Sequence, residues 1–224
     1  MFDVSVIIPA YNEAEIIKTT IDNLINYFAL TEMNAEIIVS DDGSTDPTAA
    51  IAQSVGGVRV LTAEHNRGKG SAVRRGLAAA NGAAVVITDA DGAYKPCNIG
   101  YALPHLAHCD AVFGKRRFSG DYPPFRRAAS LCYRALASAA LGIRRVDFQC
   151  GFKVLSHCAA KYAAYTLRED GFAYDAELAK VLRRGGYTVS SIYITVAEHG
   201  KSHVHFLGDS LKMLSALMRI RNEK

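Results

Sequence analysis

Hydrophobic and polar positions alternate between two periods along the first half of this chain. Val4–Pro9 is an unbroken apolar run of strand length, the pattern of a strand buried on both faces. Glu13–Phe28 follows, with Ile16, Ile17, Ile21, Leu24, Ile25 and Phe28 at helical spacing. The same sequence of signals recurs: a strand at Glu36–Ser40, a helix at Asp46–Ser54 and a strand at Val58–Thr62. An Ala-rich helix at Gly70–Asn81, stopped by Asn81-Gly82, and a strand at Ala83–Thr88 complete this half. Strands alternating with helices predict an α/β fold, a mostly parallel Rossmann-like sheet with helices on both faces. In such sheets ligands bind at the carboxyl ends of the strands.

The second half is less regular. A helix is expected at Asn98–Ala107, a strand at Ala111–Gly114 and a basic loop at Arg116–Arg127. Further helices are expected at Ala128–Leu141, Cys158–Tyr165 and Tyr174–Arg184, with strands within Asp147–Leu155 and at Thr188–Val196. Phe206–Ile220 reads as an amphipathic tail helix, with Leu207, Leu211, Leu214, Leu217 and Met218 in one stripe and basic residues around it. It can pack on the domain or lie in the headgroup region of an anionic membrane. No repeat, linker or low-complexity segment divides the chain, so one domain is expected over 1–224.

Composition narrows the class. Of 224 residues half are hydrophobic and 21% are charged, enough for a sizeable core. A net charge of +4 does not argue for nucleic acid. The 5 cysteines are irregularly spaced with no CxxC, which fits reduced, mostly buried thiols. No stretch reaches the roughly 18 apolar residues that a membrane span needs. The start, MFDVSVIIPA, reads as a strand rather than a leader.

The chemistry gathers at the strand ends. "VVITDADGAYKP" ends a buried run in Asp89 and Asp91, two carboxylates that either cap a turn or share a hard divalent cation. "EIIVSDDGSTD" places Asp41 and Asp42 after the second strand, where an acid and the open backbone of Gly43 suit a nucleoside. Thr45 or Asp46 would cap the next helix. Arg116, Arg117, Arg126 and Arg127 make the second-half loop basic, suited to phosphate.

Together "SVIIPAYNE", "VSDDGSTD", "NRGKGSAVRRGLAAANG" and "TDADGAYKP", in this order, resemble family 2 glycosyltransferases of the GT-A fold. "GKRRF", "RRAAS", "DFQCGFK" and "GFAYDAEL" are similar to the dolichyl-phosphate mannose synthase and dolichyl-phosphate β-glucosyltransferase group, and closer to the glucosyl branch. The resemblance implies a nucleotide-sugar half over 1–96, an acceptor half over 97–200 and the tail over 201–224. Pro9, Tyr11, Glu13, Asp41, Asp42, Lys69, Arg74, Asp89 and Gln149 would bind the donor. Asp89 and Asp91 would hold Mg²⁺ or Mn²⁺. Arg116, Arg127, Ser130 and Lys201 would bind the acceptor phosphate, with Arg116 and Arg127 acting in catalysis. Cys150, Gly151 and Phe152 would line the sugar end. Two positions depart from the mannose synthases: Ala93 stands where an extra metal-binding Gln is common, and Lys153 where an arginine is usual.

The resemblance implies an inverting, metal-dependent hexosyltransferase at the cytoplasmic face of a membrane. Its donor would be UDP-glucose or GDP-mannose, and its acceptor a polyprenyl or dolichyl phosphate. The alternatives are a family 2 enzyme with a saccharide acceptor, a nucleotidyltransferase and a silent nucleotide-sugar sensor. The chain has no tryptophan, so the QxxRW motif of processive synthases is absent. "IPAYNEAE" stands where a nucleotidyltransferase carries a Gly-rich loop. The paired aspartates and basic loop argue against a silent sensor. His199, His203 and His205 are read as part of a segment over the site or of a plain surface loop, rather than as a metal centre.

Overall fold

The computed structural model describes residues 2–116, 147, 150–196 and 218–220. Its core is one seven-stranded sheet in the order β3-β2-β1-β4-β6-β5-β7. The elements run β1 (Val4–Ala10), α1 (Ile17–Thr31), β2 (Ala35–Asp41), α2 (Thr48–Ser54), β3 (Val58–Thr62), α3 (Lys69–Ala79) and β4 (Ala84–Ile87). They continue with α4 (Cys97–Ala102), a 3₁₀ turn (Leu103–Ala107), β5 (Ala111–Arg116) and β6 (Lys153–Ser156). The last are α5 (His157–Thr166), α6 (Tyr174–Arg184) and β7 (Val189–Ile194). The expected α/β, mostly parallel sheet is present: β6 alone among the described strands runs against its neighbours β4 and β5.

β1 shows why the central strands are continuous apolar runs. Val6 and Ile8 pack into the layer with Ile17, Ile21 and Leu24 of α1, while Ile7 packs into the opposite layer with Val73 and Leu77 of α3. A strand covered on both faces has no solvent side on which to place polar residues.

Several boundaries differ from the sequence pattern for local reasons. The first helix begins at Ile17 rather than Glu13. Residues 12–14 are drawn to the β2–α2 loop instead: Glu13 N–H donates to Thr48 Oγ1 and Ala14 N–H to Asp46 Oδ2. Asn12 has a φ of 55°, the left-handed region that asparagine tolerates. The helix expected at Asn98–Ala107 turns into a 3₁₀ segment at Leu103, next to Pro104, which brings no N–H for an α-turn. β5 runs two residues past Gly114, because β7 pairs alongside it as far as Arg116↔Ile194. Arg116 is therefore a strand residue with a fixed direction, not part of a loop.

Among the described cysteines, all free, Cys150 is buried, Cys109 half-buried, and Cys97 and Cys158 exposed. The expectation of mostly buried thiols fails because Cys97 opens one helix and Cys158 faces outward in the first turn of another. Burial pushes the Cys150 thiol up to about 11. Iodoacetamide at neutral pH is expected to label Cys97 and Cys158 in the native protein and to reach Cys150 only after unfolding, as peptide mapping would show.

Candidate functional site

The site forms on one edge of the sheet. β1, β2, β4, β5 and β7 all end there, and β6, running the other way, begins there. The antiparallel β6 is what carries Cys150 and Gly151 to the acids that follow β4.

Asp89 is the centre of this edge. Its Oδ1 accepts from Lys69 Nζ at 2.5 Å, the lysine that opens α3. Burial opposes the charge on Lys69, but the carboxylates of Asp89, Asp175 and Asp91 lie around it and hold its pKa above the ordinary lysine value. Asp91 accepts the Ala93 N–H at 2.9 Å, and the Ala90 carbonyl between the acids accepts from Thr20 Oγ1 at 2.7 Å. The loop is thus tied to α1, with both acids half-buried at its mouth. Asp91 caps the turn, the polar-turn reading, while Asp89 faces Lys69, and the two carboxylates stand where a hard cation could sit. The two carboxylates offer only oxygen donors, which fits Mg²⁺ or Mn²⁺ completed by donor phosphate and water.

Gly151 backs this group. A Cβ at this position would overlap the Asp89 carboxylate, so only glycine lets β6 pass so close. Its N–H donates to the Tyr94 hydroxyl at 2.9 Å. Gly151→Ala is expected to push Asp89 off Lys69 and lower activity at least about tenfold, with the fold retained by circular dichroism. Cys150 and Phe152, expected to line the sugar end, are both buried; the Phe152 ring packs at 6.2 Å from Tyr94. They support the site from behind, because alternate residues entering β6 point into the core.

Tyr94 connects the two ends of the edge. Burial raises its pKa well above the usual tyrosine value, Asp89 adds to that shift, and Arg116 opposes it. It therefore lies within electrostatic reach of both the acid and the guanidinium. Arg116 pairs through Nε with Asp147 Oδ2 at 3.3 Å. Burial disfavours the arginine's charge, yet Asp147, Tyr94 and Cys150 outweigh it, so Arg116 stays cationic throughout the accessible range. Sequence reasoning did not single out Tyr94 or Asp147. Their only signal was their place inside the "TDADGAYKP" and "DFQCGFK" motifs.

The acids after β2 hold their own loop in place. Asp41, 1% exposed, accepts from Ser44 through both its N–H and hydroxyl. Asp42, 2% exposed, accepts the N–H groups of Arg67 and Gly68 at 2.9 and 2.6 Å. Arg75 adds bonds to Ser40 Oγ and the Asp41 carbonyl. These side chains fold the β2–α2 loop against the start of α3; Gly43, at φ 73°, sits so close to the His65 backbone that a side chain would clash. Asp46, one of two candidate caps, accepts the Thr48 N–H at 3.0 Å. Pro9 is buried in β1, Tyr11 is 42% exposed just beyond it, and Glu13 is half-buried, so the three stand at or just past the end of β1.

One expected donor residue lies elsewhere. Arg74 points to Asp170 at 2.6 Å and lines a separate groove. It sits five residues past Lys69 on α3, and that offset turns it to another face of the helix. Of the acids opening α6, Asp175 meets the buried Lys153 and Glu177 accepts the N–H groups of Arg168 and Glu169. Arg127, Ser130, Gln149, Lys201, the three histidines and most of the tail lie outside the described residues. Met218–Ile220 are helical, and Ile220 is buried against Ala173 while Met218 is 50% exposed.

A mostly parallel sheet that collects paired acids, a lysine and a cationic strand end along one edge is the architecture of a GT-A glycosyltransferase. Solved structures share the fold: glucosyl-3-phosphoglycerate synthase from Mycobacterium tuberculosis, crystallised with Mn²⁺, UDP and glucosyl-3-phosphoglycerate, superposes with a TM-score of 0.77 at 24% identity, covering 100% of this chain and 81% of that one. The chain belongs to glycosyl transferase family 2, whose model matches residues 5–166. It is similar to the dolichyl-phosphate β-glucosyltransferases of Mus musculus (31% identical, over 92% of this chain and 69% of that one) and Dictyostelium discoideum (28%, over 97% and 73%).

Proposed function

We propose that this glycosyltransferase moves glucose from UDP-glucose to a polyprenyl phosphate, inverting the anomeric centre and depending on a divalent cation. The observation that carries the reading is the Asp89–Lys69–Asp91 group on the same edge as Arg116, with Tyr94 in reach of both. An anion-binding end and a cation-binding end stand side by side, as transfer between two phosphate-bearing substrates requires. Kinship with dolichyl-phosphate β-glucosyltransferases favours the glucosyl donor and lipid acceptor; Ala93 and Lys153 disfavour GDP-mannose.

Asp89 and Asp91 would hold Mg²⁺ or Mn²⁺, which when bound would neutralise charge on the departing nucleoside diphosphate. Pro9, Tyr11 and Glu13 flank the donor's nucleoside, and Lys69 adds a positive charge beside Asp89. Arg116, held by Asp147, presents a permanent cation to the acceptor phosphate; Arg127, Ser130 and Lys201 would join it, and Gln149 would bind the donor. The acceptor is already anionic near neutral pH, so no strong general base is needed. Attack on the face opposite the leaving group turns an α-linked donor into a β-linked product.

The chain acts as one domain in this reading, divided into donor and acceptor halves with the tail beyond. No helix of the described residues is long and apolar enough to cross a membrane. The lipid acceptor requires a bilayer nearby, and we place the enzyme peripherally on its cytoplasmic face. The test is transfer of label from UDP-glucose, GDP-mannose and other nucleotide sugars to a short polyprenyl phosphate, with Mg²⁺ or Mn²⁺ and with EDTA. Lipid-linked label from UDP-glucose, lost in EDTA, is expected. Label appearing only on saccharide acceptors would overturn the lipid assignment, and metal-dependent donor binding without transfer would point to a sensor.

A further inference from the structure

Away from the strand ends, an open groove of about 450 Å³ runs along α3 and the end of α5. Arg67, Arg74 and Arg75 enter it from the start and flank of α3, Arg168 enters from the segment after α5, and Ser71 and Tyr165 complete its floor and rim. Among the described residues two carboxylates answer these four guanidinium groups: Asp170, bound to Arg67 at 3.3 Å and Arg74 at 2.6 Å, and Asp42, 3.7 Å from Arg75. The groove keeps an excess of positive charge. The donor and acceptor roles proposed for the sheet edge make no use of it.

Arg74 and Arg75 are held in place, while Arg67, 53% exposed, and Arg168 stand open to solvent at the rim. The side chains of Arg74 and Arg75 are only 23% and 27% exposed. Arg75 is fixed through Nε to Ser40 Oγ at 3.2 Å and through a terminal nitrogen to the Asp41 carbonyl at 2.8 Å. Arg74 also reaches the Leu167 carbonyl at 3.5 Å, and Arg168 donates to the Tyr165 carbonyl at 3.1 Å. Each guanidinium carries five N–H donors in a fixed fork, and these anchors engage only part of each fork. Asp170 shows the groove accepting an oxyanion, with one carboxylate oxygen on Arg74 and the other on Arg67. Anchored guanidinium groups lose little conformational freedom when an anion arrives, and their fork geometry matches phosphate.

We propose that this groove is a second anion site, distinct from the donor and acceptor sites, that takes a phosphate group. The phosphate comes either from a soluble phosphorylated ligand or from a phospholipid headgroup. Because Arg67 directly precedes Gly68 and Lys69, an anion there pulls on the segment that presents Lys69 to Asp89.

The test is titration calorimetry of the full chain with inorganic phosphate, in UDP and Mg²⁺ so that the donor edge is filled. Sedimentation with phosphatidylcholine vesicles, with and without phosphatidic acid, runs in parallel. Phosphate binding that persists with UDP and in Arg116→Ala, and weakens at least about tenfold in Arg67→Ala/Arg168→Ala, supports the site and a soluble source. Binding confined to phosphatidic acid vesicles, with the same sensitivity to the double variant, supports it with a lipid source. The proposal is overturned if neither probe binds, if UDP or Arg116→Ala abolishes binding, or if the folded double variant binds like the parent.

Discussion

Asp91→Ala is expected to lower sugar transfer about a thousandfold while the protein stays folded. A cation at this position supplies several kcal/mol of charge stabilisation to the departing diphosphate, and each 1.36 kcal/mol is a tenfold change in rate. The hydrogen bond that the Asp91 side chain accepts from the Ala93 N–H lies within one loop, and losing such a bond costs roughly 0.5–1.5 kcal/mol. For a domain of this size that is a fall in Tm of about 1–6 °C. Asp89→Ala should be equally inactive but less stable, because it also strands Lys69. Transfer rates from UDP-glucose, paired with thermal melts, check both. An Asp91→Ala protein that keeps more than a tenth of its activity would remove the cation from the mechanism.

Lys153→Met is expected to be the most damaging single change to stability among the residues near the site. The side chain of Lys153 is fully buried, with Nζ 2.5 Å from Asp175 Oδ1 and 2.7 Å from the Cys150 carbonyl. The ammonium also lies over the rings of Phe113 and Tyr174, at 5.3 and 5.5 Å. Removing one partner of a buried pair leaves the other charge uncompensated and costs about 3–5 kcal/mol. That corresponds to a Tm lower by about 6–20 °C. Lys153→Met/Asp175→Asn should recover part of the loss, because no lone carboxylate is then left inside. A double variant as unstable as the sum of the two single variants would show that the pair is not coupled.

The pair also illustrates where the sequence was readable. Asp175 and Glu177 are legible as acids in the first turn of a helix, where they suit its positive end. That Lys153 is the partner could not be read, because the two are brought together by β6 running into the sheet from the site edge. The departure at Lys153 was visible in the motif, but not its burial. Asp41 and Asp42 gave the opposite lesson. Their position after a strand fits nucleoside binding, and Asp41 and one oxygen of Asp42 also hold their loop through Ser44 and the N–H groups of Arg67 and Gly68, while Asp42 Oδ1 is buried without a hydrogen-bond partner among the described residues. A motif reports which residues stand at a strand end, not which neighbours satisfy them.

Periodicity alone determined the alternating architecture, the parallel first half and the gathering of acids at the strand ends. These are local properties: a strand buried on both faces must be apolar throughout, and its first polar residues mark the edge where it leaves the core. Only the tertiary structure decided that β6 is antiparallel, that Gly151 lies against Asp89, that Arg116 ends a strand, and that Arg74 faces a different groove from Lys69. Each depends on contacts between residues far apart in the chain. No local pattern encodes such a contact, because the free energy that fixes it arises only when the two segments meet.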